Sequence, residues 1–342
     1  MLNGKFSTLD VIFVISCGLA TYLFQDYTKL KANLQSKASL LNNTAKANQS
    51  FMIFNRVPKA GTNTLWEVID VVAINQNHTF KSLGDSGKLK EARGENTFMF
   101  EENERKTYVE MLESSEEIHG LKHFSYSKHM NFLNFEEFNR TNPVYVNMVR
   151  HPVERVISWY YYQRQSSYII YKDEKNETIL KKRHHDPPFY KRSYEDCFLQ
   201  QLPECHYPLN ASTHSYFGRR DHKSHTSQIA FFCGSELICD VFGSREALEL
   251  AKSNVEKYYS VVGVLELWSE TLQTLEHYIP FFFKDAAKAY KEIIGNKIVN
   301  KNETKPKVPK FIKDAIAKNF TVEMEFFEFC KQRLYKQYLA IK

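Results

Sequence analysis

The residues best suited to chemistry lie in "FNRVPKAGTNTLWEVIDVVA", positions 54–73. A strand-like apolar run stops at Val57-Pro58, Lys59 follows, and Ala60, Gly61, Thr62, Asn63 and Thr64 lead into an apolar helix pattern. In such a strand-turn-helix unit the loop N–H groups and the helix N-terminus meet at the strand's C-terminal end, where the helix dipole favours an anion. Lys59 adds a point charge, Gly61 permits close backbone approach, and the hydroxyls of Thr62 and Thr64 add donors. The stretch therefore suits phosphate or sulfate. It is no Walker A loop, since G-x-x-x-x-G-K-[ST] is absent and the lysine precedes the glycine. A second unit supplies another anion site: Arg150 ends the strand pattern at 144–149, and Ser158 lies two turns into the next helix, so both can face one phosphate. Two such sites on neighbouring strands suit a nucleotide with phosphates at both ends.

These units need a sheet to hold them. Apolar runs at 51–57, 144–149 and 259–267 read as buried strands, each followed by a helical pattern, and the stretch 244–258 is an amphipathic helix. "WSETLQTLEHYIPFFF" reads as one helix, and one or two helices close the chain. Strand-helix alternation with apolar strands predicts an α/β fold around a mainly parallel sheet. Residues 166–223 are loop-rich, which suits a segment that contacts substrate.

Composition places the chain. The net charge is +6, with local excesses of Lys and Arg at 172–192 and 297–313, which favours an acidic partner: nucleic acid, polysaccharide or a phosphate cofactor. The apolar run at 11–24 reads as an uncleaved signal anchor, because no small-x-small cleavage site follows it. Eight Asn-x-Ser/Thr acceptors occur, at Asn42, Asn48, Asn77, Asn139, Asn176, Asn210, Asn302 and Asn319, where composition alone gives about three. That excess puts everything after the apolar run in a secretory lumen. The expected organisation is a cytoplasmic tail at 1–8, a transmembrane anchor at 9–27, a polar stem at 28–50 and a luminal domain at 51–342. In an oxidising lumen the close pairs Cys197/Cys205 and Cys233/Cys239 read as short disulfide loops, although four cysteines allow three pairings. Zinc is the rival reading, disfavoured by the lack of C-x-x-C, and Cys330 is expected to stay a buried free thiol.

"FNRVPKAGTNT", "VYVNMVRHPVERVISWYYYQR", "IAFFCG" with a later cysteine, and "YYSVVGVLELWSETLQTLE" together resemble the uronyl 2-O-sulfotransferases. That family includes heparan sulfate 2-O-sulfotransferase, the uronyl 2-sulfotransferase of dermatan and chondroitin, and insect Pipe. The resemblance runs from Phe51 to the C-terminus. It implies a sulfotransferase α/β fold, the donor 3'-phosphoadenylyl sulfate (PAPS), no metal, Golgi residence as a type II membrane protein, a glycosaminoglycan acceptor instead of nucleic acid, and a homo-oligomer, the heparan member being a trimer. By position, Lys59 to Thr64 match the 5'-phosphosulfate loop, and Arg150 and Ser158 the 3'-phosphate clamp. His123 in "KHFSYSKHMNF" matches the catalytic histidine, with His119 and His129 as neighbouring rivals, and Arg56 matches an arginine facing the acidic sugar. Arg183 and Arg192 read as further carboxylate or sulfate ligands. The segment 301–307 matches one that closes over the donor. The family often reads R-D-P where this chain has Arg150-His151-Pro152, so a carboxylate at that helix start is absent.

The implied chemistry fits these residue types. A histidine can take the acceptor hydroxyl's proton, and Lys59 can stabilise charge on the oxygen that leaves sulfur. Three other activities are rivals: Pipe-like sulfation of another glycoprotein glycan, a catalytically inactive luminal glycosaminoglycan-binding protein, and a luminal nucleotide kinase. The kinase would want a Walker lysine and a carboxylate for magnesium.

Overall fold

The computed structural model describes residues 8–83, 101–114, 122–164, 168–172, 178–182, 189, 191–211, 226–296 and 306–342. Five parallel strands form the central sheet: β1 (Asn48–Asn55), β2 (Lys81–Leu83), β3 (Phe124–Lys128), β4 (Pro143–Val149) and, after a separate antiparallel hairpin of β5 (Tyr168–Lys172) and β6 (Thr178–Lys182), β7 (Tyr259–Val264). Their spatial order is β2-β3-β1-β4-β7. Phe51 pairs with Phe124 and Asn55 with Lys128 across β1 and β3, while Ile53 pairs with Tyr145 across β1 and β4. Every strand runs the same way, so all five C-terminal ends lie along one edge of the sheet, where α/β proteins bind their ligands.

The helices in chain order are α1 (Thr8–Leu40), α2 (Thr62–Asn75), α3 (Glu102–Ser114), α4 (Pro152–Gln163), α5 (Tyr194–Leu199), α6 (Ile229–Cys233), α7 (Arg245–Tyr258), α8 (Trp268–Tyr278), α9 (Pro280–Phe283), α10 (Ala286–Asn296), α11 (Lys310–Asn319) and α12 (Thr321–Ala340). Leu65, Val68, Ile69, Val72 and Ala73 put one apolar stripe of α2 into the core. All residues of β3, β4 and β7 are buried, the condition that turns parallel strands into near-continuous apolar runs. β7 closes one side of the sheet, and α12 covers it: Arg333 Nη2 donates to the Tyr259 carbonyl at 2.8 Å and Gln337 Nε2 to that of Ser260 at 2.8 Å.

Several boundaries differ from the sequence expectation. β1 begins at Asn48 and ends at Asn55, because Asn48 N–H reaches the Asn142 carbonyl at 2.8 Å and extends pairing into polar sequence. The "WSETLQTLEHYIPFFF" helix breaks at Ile279, ahead of Pro280. The apolar run and most of the expected stem form one helix, α1, of 33 residues. No helix among the described residues is long and apolar enough to cross a membrane.

Candidate active site

Three corners meet at the C-terminal edge of the sheet. The first follows β1. Arg56 N–H bonds the Lys128 carbonyl at 2.7 Å, and Val57 N–H bonds Asn147 Oδ1 at 3.3 Å, so the loop leaves β1 tied to both neighbouring strands. Asn147 Nδ2 donates to Asn55, whose Oδ1 also accepts from the Tyr259 hydroxyl at 3.0 Å, a buried amide network under the corner. Lys59 at φ +63 and Gly61 at φ +79 then turn the chain into α2. A Cβ on Gly61 would lie 2.6 Å from Leu265 Cδ1, so the position is fitted to glycine by space as well as by φ. Gly61 caps α2 without a side chain, and the first helical bond is Leu65 N–H to the Gly61 carbonyl at 3.2 Å. The helix N-terminus therefore has no side-chain cap to satisfy it. The Thr62 hydroxyl, expected from sequence to serve as an anion donor, instead donates to the Val57 carbonyl at 3.1 Å and braces the loop. Its contribution to an anion site is the peptide N–H. Asn63 and Thr64 follow in the same first turn.

Arg150 forms the second corner, after β4. Its Nη1 donates to the Lys59 carbonyl at 3.1 Å, joining the two units that the sequence singled out. Burial lowers the Arg150 pKa, opposed by the charges of Glu266 and Glu154. The His151 N–H at the start of α4 is accepted by Glu266 Oε1 at 3.0 Å. The helix-start carboxylate absent from Arg150-His151-Pro152 is thus supplied from the segment after β7. Ser158 is half-buried on α4, one turn before Tyr162, and shares a helix face with it. The Tyr162 ring lies under Lys59 Nζ at 4.2 Å, so that face of α4 is the one turned toward the first corner.

The third corner, after β3, corrects the sequence reading. His129 Nδ1 lies 2.9 Å from the Arg56 carbonyl. A carbonyl only accepts, so Nδ1 carries a proton, and in the neutral ring the lone pair is on Nε2. His123 sits before Phe124, at the opposite end of β3; its carbonyl accepts the Lys81 N–H at 3.2 Å and its ring packs on Phe281 at 4.2 Å. A five-residue strand spans about 17 Å, so His123 does not meet Lys59, and His129 is the histidine at the Lys59 end of β3. His119 lies outside the described residues.

A sequence profile of the sulfotransferase family matches residues 43–330, which include all three corners. The chain belongs to the sulfotransferase family. It is 34% identical over 309 residues to the uronyl 2-sulfotransferase homolog Pip of Drosophila melanogaster, covering 89% of this chain and 56% of that protein. It is 26% identical over 283 residues to a heparan sulfate 2-O-sulfotransferase of Caenorhabditis elegans, covering 82% of this chain and 74% of the relative. Over 293 residues it is 27% identical to human uronyl 2-sulfotransferase, covering 84% and 63%. The chain thus spans little more than half the length of the Drosophila protein.

In this sulfotransferase-family chain the expected acceptor-side arginines are engaged. Arg56 is buried, its guanidinium 5.0 Å over the Trp66 ring, and its charge helps to hold down the Asp70 carboxyl, which burial raises. Arg192 Nη1 pairs with Glu204 Oε1 at 3.0 Å, and Arg164 Nη2 shares that oxygen at 3.1 Å, so two cations divide one carboxylate. Arg183 and the segment 297–305 lie outside the described residues. The structure joins Cys197 to Cys205 and Cys233 to Cys239, and Cys330 is buried and free. Asn77, Asn139 and Asn210 are exposed at positive φ, at turn positions that project the side chain. Asn48 opens β1; Asn42 Oδ1 accepts the Thr44 N–H at 3.2 Å, and Asn319 Nδ2 donates to the Tyr207 carbonyl at 3.2 Å. Asn176 and Asn302 fall outside the described residues.

Proposed function

We propose that this sulfotransferase-family chain transfers sulfate from PAPS to the 2-hydroxyl of uronic acid residues in a glycosaminoglycan. It acts in the Golgi lumen as a type II membrane protein and works as a homo-oligomer. The observation that carries the reading is the convergence of Lys59, Arg150 and His129 on one edge of the sheet, with Lys59 and Arg150 directly bonded. The residues fit the donor. A helix N-terminus without a side-chain cap, a turn that a Cβ at Gly61 would obstruct, and two cations beside it suit a nucleotide bearing phosphate and sulfate.

Lys59, Ala60 and Gly61 with the first-turn N–H groups of Thr62, Asn63 and Thr64 hold the sulfate end, and Arg150 with Ser158 holds the 3'-phosphate. Bound there, PAPS supplies sulfate on a good leaving group. His129 does the acid–base work: its Nδ1–H is committed to the Arg56 carbonyl, so Nε2 is the nitrogen that takes the acceptor hydroxyl proton. The Lys59 ammonium offsets negative charge on the departing side. Arg56, through its hold on His129, and Arg192 on α5's approach lie on the acceptor side of the reading. The names of the relatives, uronyl and heparan sulfate 2-O-sulfotransferases, support the choice of a uronic acid.

The test is to incubate the chain with labelled PAPS and a panel of desulfated polysaccharides and to map the product disaccharides. Label on the uronic acid 2-position is expected; transfer to no uronic acid would sink the claim.

A further inference from the structure

The Arg150 corner is held by a part of the chain remote from the other two corners in sequence. Gln228 is completely buried, and its amide brackets Arg150: Oε1 accepts the Arg150 peptide N–H at 3.3 Å, and Nε2 donates to the Arg150 carbonyl at 3.1 Å. Gln228 is itself pinned. Its peptide N–H reaches Glu323 Oε2 at 3.1 Å, while Glu323 Oε1 accepts the Ser227 hydroxyl at 2.6 Å and the Ile229 N–H at 3.4 Å. Glu323 is buried in the first turn of α12, and Arg155 on α4 donates to the Thr226 carbonyl, closing the segment from the other side. Arg150 completes the chain of bonds by donating to the Lys59 carbonyl. Hydrogen bonds therefore run without a gap from α12 to the junction of the first two corners, buried at Glu323 and Gln228, where water does not readily replace a lost partner.

We propose that Gln228 is the positioning residue for Arg150: it fixes the two peptide groups flanking the arginine and so sets where the guanidinium meets the donor's 3'-phosphate, with Glu323 as its anchor. This role rests on Arg150 being the phosphate ligand named above. An arginine gains its advantage over lysine from fixed two-point geometry, which is lost if the residue's own backbone is free to swing.

The test separates the 3'-phosphate from the rest of the nucleotide. The full chain is titrated calorimetrically with adenosine 3',5'-bisphosphate and with adenosine 5'-monophosphate, as wild type, Arg150→Ala, Gln228→Leu, Gln228→Glu and the Arg150→Ala/Gln228→Leu double variant. Arg150→Ala should weaken the bisphosphate by roughly 10- to 100-fold and the monophosphate by less than about twofold. Gln228→Leu should weaken the bisphosphate about tenfold with the same selectivity, and the double variant should be no weaker than Arg150→Ala alone. Gln228→Glu keeps the shape and the acceptor for the Arg150 N–H but sets an oxygen against the Arg150 carbonyl; it should show an equally selective loss, and it carries the test if the leucine variant does not fold. If both Gln228 variants weaken the two nucleotides equally, or neither, while Arg150→Ala stays selective, the positioning role is overturned. If Arg150→Ala shows no selectivity, the phosphate assignment itself falls, and this role with it.

Discussion

Arg150 Nη1 donates to the main-chain carbonyl of Lys59 at 3.1 Å, so the cation that ends β4 is bonded to the backbone of the residue that bears the cation after β1. The two corners are one object, and a change of side chain at position 59 leaves the bond in place. Lys59→Ala should therefore lower transfer by about 100-fold or more while the melting temperature stays within a few degrees. Transfer assays with labelled PAPS beside thermal melts check it; near-normal activity would remove Lys59 from the chemistry.

The two histidines at the ends of β3 give opposite expectations. His129→Ala removes the imidazole proposed as the base and should abolish transfer, by about 100-fold or more, with the donor still bound. His123→Ala removes a ring packed on Phe281 and should cost stability, with specific activity of the folded protein near wild type. Side-by-side assays decide; the reverse pattern would restore His123.

Gly61 combines φ +79 with a Leu265 methyl 2.6 Å from where a Cβ would stand. Gly61→Ala should lower stability by about 1–2 kcal/mol, since an L-residue resists that conformation and Leu265 must give way. Denaturant unfolding measures it. An unchanged midpoint would mean that the loop re-forms with another turn.

Glu323 links stability to pH. Burial raises its carboxyl pKa above the ordinary 4.5, although the Arg155 charge and the donors from Ser227, Gln228 and Ile229 pull the other way. The folded state therefore binds this proton more tightly than the unfolded chain, so the Glu323 contribution falls as pH rises from 4.5 through the raised value and is level above it. Glutamine at this position cannot titrate. The melting temperature of wild type minus that of Glu323→Gln should decline across that window; a flat or rising difference would contradict the raised pKa.

The parts of this site that could be read from sequence are those written in local pattern. β1 and β4 are apolar runs stopped near Pro58 and Pro152, and Lys59 and Arg150 stand just past them. β3 is different: Ser125 and Ser127 alternate with Phe124 and Tyr126, which does not look like a strand buried on both faces, yet all five residues are buried. Without that strand its direction is unknown, and a histidine at its start cannot be told from one at its finish. Gln228 and Glu266 were illegible for another reason. Their partners lie 78 and 115 positions away, and only the folded sheet edge brings them together.

Parallel strands also give the molecule two unlike poles. Asn48 opens β1, Asn139 lies four residues ahead of β4, Asn77 precedes β2, and the chain from α1 enters on the same side. Sugars carried there stand about a strand's length, roughly 20 Å, from Lys59. Asn48, Asn77, Asn139 and the end of α1 thus share the pole opposite Lys59, whereas Asn319, two residues ahead of α12, stands on the side of the Arg150 corner that Glu323 helps to hold, so a sugar there, unlike one at the far pole, would border the reacting residues.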